Sequence, residues 1–138
     1  MKAIRATSFA CQIAALMALS GCLAPAMAEV APPYAPEAIC RTAIASIMGR
    51  DPKIVQVTRV AGDILFLSYV RPIDNFVWDY RCKIQGNRVI WASEPGRWRE
   101  DAKDDKVLFE ILGGGKQLRI IENHRDCSVT KELFEQPD

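Results

Sequence analysis

The chain has 138 residues, 49% of them hydrophobic, and a formal charge of +1. That is enough apolar material for one domain with a modest core, and too little length for several. A near-neutral balance supplies no basic field for nucleic acid and no polybasic patch for a membrane surface.

The N-terminus reads as an export signal. Lys2 and Arg5 form a positive n-region, and Phe9 to Leu19 is uncharged and apolar apart from Gln12. Such a stretch has the length of a signal-peptide core and is too short to span a bilayer. Two processing readings stand side by side. Leu19-Ser20-Gly21-Cys22 resembles the lipobox of bacterial lipoprotein precursors. That resemblance implies a signal peptide over 1–21 and lipid attachment at Cys22. Ala26-Met27-Ala28 fits the small-x-small rule of ordinary signal peptidase, giving a signal over 1–28 and a chain that starts at Glu29. Either cut removes Lys2 and Arg5 and no acidic residue, so the formal charge becomes −1. The expected location is the periplasm, with a lipid anchor if Cys22 is used. No transmembrane span is expected.

Residues 22–36 are rich in proline and alanine and read as a semi-extended tether. A single domain is expected over 37–138. Residues 37–49 are predicted helical, because Ile39, Cys40, Ala43, Ile44 and Ile47 share one face at helical spacing. Pro36 and Glu37 suit its first turn, Gly49 its C-cap, and Pro52 stops continuation.

Strands follow. Residues 54–60 alternate moderately, and Ala61-Gly62-Asp63 is a turn. Ile64 to Val70 is almost wholly apolar, which predicts a central strand covered on both faces. Pro72-Ile73-Asp74-Asn75 is a turn. Over 76–85, Phe76, Trp78, Tyr80, Cys82 and Ile84 alternate with Val77, Asp79, Arg81, Lys83 and Gln85. Strands at 89–93, 107–112, 117–122 and 128–134 complete the pattern, with a charged loop over 97–106 and a glycine turn at 113–115. The fold class is therefore α+β. One N-terminal helix packs on an antiparallel meander of about seven strands, and the pattern fits either an open sheet or one curled toward a barrel.

Three cysteines belong to the domain, so one intramolecular disulfide at most can form. Cys40 and Cys82 both face the predicted core, which favours a Cys40–Cys82 bond in an oxidising compartment and leaves Cys127 over. Three reduced cysteines, two of them buried, are the plainer alternative.

Candidate chemistry is sparse. His124 is the single histidine and reads as a surface residue near a turn. A nucleophile pair with Cys127 lacks an orienting acid in the sequence. Asp101, Asp104 and Asp105 lack calcium-loop spacing and its glycine. Glu94 and Glu100 offer carboxylates with no fixed separation for glycoside chemistry. Gly113-Gly114-Gly115 lacks the phosphate-loop pattern. No metal or cofactor is implied. Trp78, Tyr80 and Trp91 read as core. Arg97, Trp98 and Arg99 form the candidate binding site, with Trp98 expected as an exposed anchor between two cations.

The runs Ile39 to Gly49, Trp78-Asp79-Tyr80-Arg81-Cys82-Lys83, Gly86-Asn87-Arg88-Val89-Ile90-Trp91-Ala92 and Gly96-Arg97-Trp98-Arg99 resemble uncharacterised exported proteins of Gram-negative bacteria. The resemblance implies no activity. Small envelope lipoproteins that inhibit lysozyme share the size, address and β-rich build, without their loop motif here. The expected function is an envelope-located binding or accessory module, not an enzyme, whose partner is another envelope protein. A periplasmic inhibitor of a cell-wall hydrolase is the alternative, and a small hydrolase a more distant one.

Overall fold

A computed structural model describes residues 34–135. The export signal, both cleavage points, Cys22 and most of the tether lie outside the described residues. Helix α1 spans Pro36–Met48. Proline at its first position sacrifices no hydrogen bond, and Glu37 sits at the end where the helix dipole favours an acid. Its C-terminus closes on Gly49, whose φ of 64° is a conformation glycine adopts without strain. The Gly49 N–H donates to the Ser46 carbonyl and the Arg50 N–H to the Ala45 carbonyl, a Schellman closure. A 3-10 turn, Pro52–Ile54, follows and leads into the sheet.

The strands are β1 (Gln56–Ala61), β2 (Ile64–Val70), β3 (Val77–Gln85), β4 (Arg88–Ser93), β5 (Lys106–Leu112), β6 (Gln117–Asn123) and β7 (Val129–Glu135). Their order in the sheet is their order in sequence, and every neighbouring pair is antiparallel. The expected helix on a seven-stranded meander is thus the fold. β1 and β7 are the two ends of the sheet, so hydrogen bonding does not close it into a barrel.

α1 lies across one face and contacts strands from both halves of the sheet. Its buried residues Ile39, Cys40, Ala43 and Ile44 pack on Leu65, Leu67, Tyr80, Cys82, Val89, Val107, Leu118 and Ile120. Cys40 and Cys82 are joined by a disulfide, with Cα atoms 6.0 Å apart. Cys127 is free and exposed. Tyr34 is buried in the same core and Pro36 opens the helix, so the end of the segment read as tether belongs to the fold.

Two expectations about strands need correction. β2 is not covered equally on both faces. Leu65, Leu67 and Tyr69 are buried under the helix, while Ile64, Phe66 and Ser68 on the outer face are half-buried. The Arg59 guanidinium sits 4.0 Å from the Phe66 ring centre and serves there as cover in place of a second layer. The 54–60 segment divides into the 3-10 turn and an edge strand with a bulge between Val57 and Arg59. A bulged, largely exposed edge resists pairing with another chain.

The sheet is also split. β4 and β5 pair only through Arg88 with Leu108 and Val89 with Val107. Beyond that point the strands diverge, and the loop over 94–105 fills the gap. No helix among the described residues is long and apolar enough to cross a membrane.

Candidate functional site

The loop over 94–105 carries Arg97, Trp98 and Arg99. Gly96 makes its approach to β4 possible, because a Cβ there would lie 2.8 Å from the Ser93 carbonyl oxygen. The Arg99 N–H then donates to the Trp91 carbonyl at 2.8 Å, which holds the loop against β4. Trp98 lies on the outer face of the sheet. There its ring meets the Arg81 guanidinium at 4.8 Å and the Lys83 ammonium at 4.5 Å.

Trp98 is therefore half-buried rather than an exposed anchor. Arg81 and Lys83 are cross-strand partners of Ala92 and Ile90. Both of those residues are buried, yet neither belongs to the core beneath the helix. Trp98 lies on the same face as these two residues, stacked against Arg81 and Lys83, their cross-strand partners. Replacing Trp98 with alanine is expected to destabilise the fold by about 2 kcal/mol, below the full-core value because the ring is only half-buried. Urea unfolding checks this. A loss under about 0.5 kcal/mol would make the ring an expendable surface residue.

Arg97 and Arg99 point the other way. Arg97 makes a bidentate pair with Asp104 at 2.8 and 2.6 Å, and Asp104 also accepts the Asp101 N–H. The Arg97 guanidinium holds the Asp104 carboxyl down at about 2. The Arg99 guanidinium stacks 5.3 Å from the Trp91 ring centre. With Asp105 and Arg125 these residues line a small polar slot of about 130 Å³. The carboxylates of this loop are dispersed among cationic partners. Asp104 goes to Arg97, while Asp105 goes to His124 and Arg125. Among the described residues no group of three or more His, Cys, Asp or Glu gathers as a metal site.

His124 is not a plain surface residue. Its Nδ1 lies 3.0 Å from an Asp105 carboxylate oxygen and its Nε2 lies 2.9 Å from the Thr130 hydroxyl. The structure supplies the orienting acid that sequence could not name. The group at Nε2 is Thr130, while Cys127 sits exposed in the turn with φ 69°. The contact ties the split in the sheet to the β6–β7 hairpin.

The hydrogen bond from Asp105 raises the His124 pKa above its ordinary 6.5, and that from His124 lowers the Asp105 carboxyl below 3.8. A raised histidine stabilises fully below its unfolded value, and its contribution is lost as pH rises through the folded value. A lowered aspartate stabilises fully above its unfolded value and is lost on acidification. The contact is strongest between pH 3.8 and 6.5. Proton-detected titration of the His124 ring should return a value above 6.5 that falls back in Asp105→Asn. An unchanged value in that variant would contradict the assignment.

Among the described residues, the most exposed large apolar side chains lie elsewhere, at the β2–β3 hairpin. Ile73 is 86% exposed and Phe76 57%, flanked by exposed Val70 and Val77. Sequence reading placed only a turn there. The tip is nonetheless well held. Its backbone closes through Arg71 N–H to the Phe76 carbonyl and Asn75 N–H to the Arg71 carbonyl, both at 2.8 Å. Arg71 and Asp74 form an ion pair across the turn, and the Asp74 carboxylate accepts the Phe76 N–H at 3.2 Å. Arg71 holds the Asp74 carboxyl down at about 2. The same guanidinium lies 6.0 Å from the Phe76 ring centre and 5.3 Å from that of Trp78. Phe76 and Trp78 pack with centroids 5.3 Å apart. The result is a preorganised finger with apolar side chains on both faces.

Comparison of the chain with protein-family models, curated proteins and solved structures finds no match.

Proposed function

We propose that this chain is an exported binding module of the bacterial envelope, without catalysis of its own, that docks on another envelope protein through the β2–β3 hairpin. The observation that carries the proposal is the rigid tip presenting Val70, Ile73, Phe76 and Val77. Contiguous exposed apolar groups on a soluble domain mark interaction sites, and an aromatic held in place loses little entropy on binding. The Arg71–Asp74 pair neutralises the tip, so the complementary surface is an uncharged apolar groove. Arg97 and Arg99 are taken up by Asp104 and the Trp91 ring, and Trp98 by Arg81 and Lys83, so these three residues are not the docking surface in this reading.

Export is supported by the N-terminal pattern and by a buried disulfide, which persists in oxidising compartments. We take Cys22 as the lipid attachment point. Intact mass of the protein from the native membrane fraction should show an acylated N-terminal Cys22. An unlipidated Glu29 terminus would remove the anchor and keep export, whereas an uncut Met1 terminus in the cytoplasm would contradict export itself.

The second reading, an inhibitor of a cell-wall hydrolase, uses the same finger inserted into an enzyme cleft. It differs in one readout, since bound protein would then reduce the partner's hydrolytic rate.

A further inference from the structure

A second hollow lies far from the hairpin in character, where α1, the 3-10 turn and the end of β7 meet. Its volume is about 330 Å³, and its lining includes both apolar and ionic groups. Ala38, Pro52 and Phe134 supply the apolar wall. Arg41 and Lys53 supply two cations, and Asp51 and Glu135 two carboxylates.

None of these four ionic groups makes a salt bridge among the described residues. Glu135 accepts a hydrogen bond from the Gln117 amide at 2.8 Å, and one Asp51 oxygen accepts the Lys53 backbone N–H at 2.9 Å. Each carboxylate keeps an oxygen beyond those bonds. Opposite charges that line one hollow without pairing leave both poles to whatever enters it. The wall also holds unused polar capacity. Among the described residues, the Tyr34 hydroxyl and Arg41 Nε are buried and have no hydrogen-bond partner. A buried polar atom without a partner is open to a group from outside, a water or an ion included.

We propose that this hollow binds a small zwitterion with an apolar side chain, of the class of a free amino acid or dipeptide. The ligand carboxylate meets Arg41 and Lys53, its ammonium meets Glu135 and Asp51, and its side chain rests on Ala38, Pro52 and Phe134. The volume lies at the small end of ligand sites, which suits such a molecule and excludes a large one. A ligand with one charge would leave the opposite pole unanswered. The site is independent of the hairpin reading, and either can fail without the other.

The test uses the disulfide-bonded chain and four probes: L-leucine, L-leucyl-L-leucine, 4-methylpentanoate and 3-methylbutylamine. Titration is followed by NMR at Ala38 and Phe134. Leucine, the dipeptide or both should saturate with Kd below about 1 mM, and each single-charge analogue should bind at least about tenfold more weakly. Arg41→Gln and Glu135→Gln should each weaken binding by about tenfold. The proposal is overturned by absence of saturation up to about 10 mM, or by equal binding of an analogue that lacks one charge. Glu135 lies on an exposed edge strand, so Glu135→Gln keeps the test open if Arg41→Gln does not fold. Wild-type affinity in Glu135→Gln also overturns the proposal.

Discussion

Replacing Cys40 and Cys82 together with alanine is expected to cost about 4 kcal/mol of folding stability. The bond closes a loop across a sequence separation of 42 residues, and the loop-entropy relation gives that figure. The location adds weight to it. α1 is a 13-residue helix, marginal in isolation, and its place on the sheet depends on tertiary contacts. Both cysteines are fully buried between α1 and β3, so the bond pins the helix at the centre of the core. Domains of this size have about 5–15 kcal/mol in total, so the variant should be close to unfolding at physiological temperature. Urea unfolding of the double variant, or of the native chain with and without reductant, measures the effect. A loss below about 1 kcal/mol would mean that the packing of Ile39, Ala43 and Ile44 holds the helix alone.

The second large effect concerns association and leaves stability almost untouched. Ile73→Ser with Phe76→Ser removes two exposed side chains from a turn whose closure rests on Arg71, Asp74 and backbone bonds. Unfolding free energy should change by less than about 1 kcal/mol. Binding to the partner should weaken by about a hundredfold, the loss of two central apolar anchors. The opposite pattern, a large stability loss with binding unchanged, would return the tip to a structural role.

Local signals in the sequence carry the fold well and the sites poorly, for identifiable reasons. Helical spacing of Ile39, Cys40, Ala43, Ile44 and Ile47 and alternation over 76–85 are one-dimensional patterns, and they place Cys40 and Cys82 on facing surfaces. Strand ends shift by one or two residues, as capping and edge geometry dictate. The burial of Trp98 against Arg81 and Lys83 depends on a loop folding back over a sheet face. No spacing encodes that. Phe66 was misread for the same reason, since its covering group is Arg59, seven residues away and formally polar. The His124 contact joins positions 19 and 6 residues apart in sequence. It forms only because the meander brings the β4–β5 loop beside the β6–β7 turn. The hairpin tip is a further case. Ile73 and Phe76 flank ordinary turn residues, and sequence gives no measure of how far a turn projects. The hollow at α1 assembles residues from three separated segments and left no local trace at all.

A β2–β3 tip that docks on a partner can be captured there by site-specific photo-crosslinking in the native envelope, with the probe at Ile73 and a control at Lys116 in the β5–β6 turn. The expected result is one discrete adduct from position 73 that disappears when Phe76→Ser is added, and none from position 116. No adduct from position 73, or the same adduct from both positions, would contradict docking at the tip.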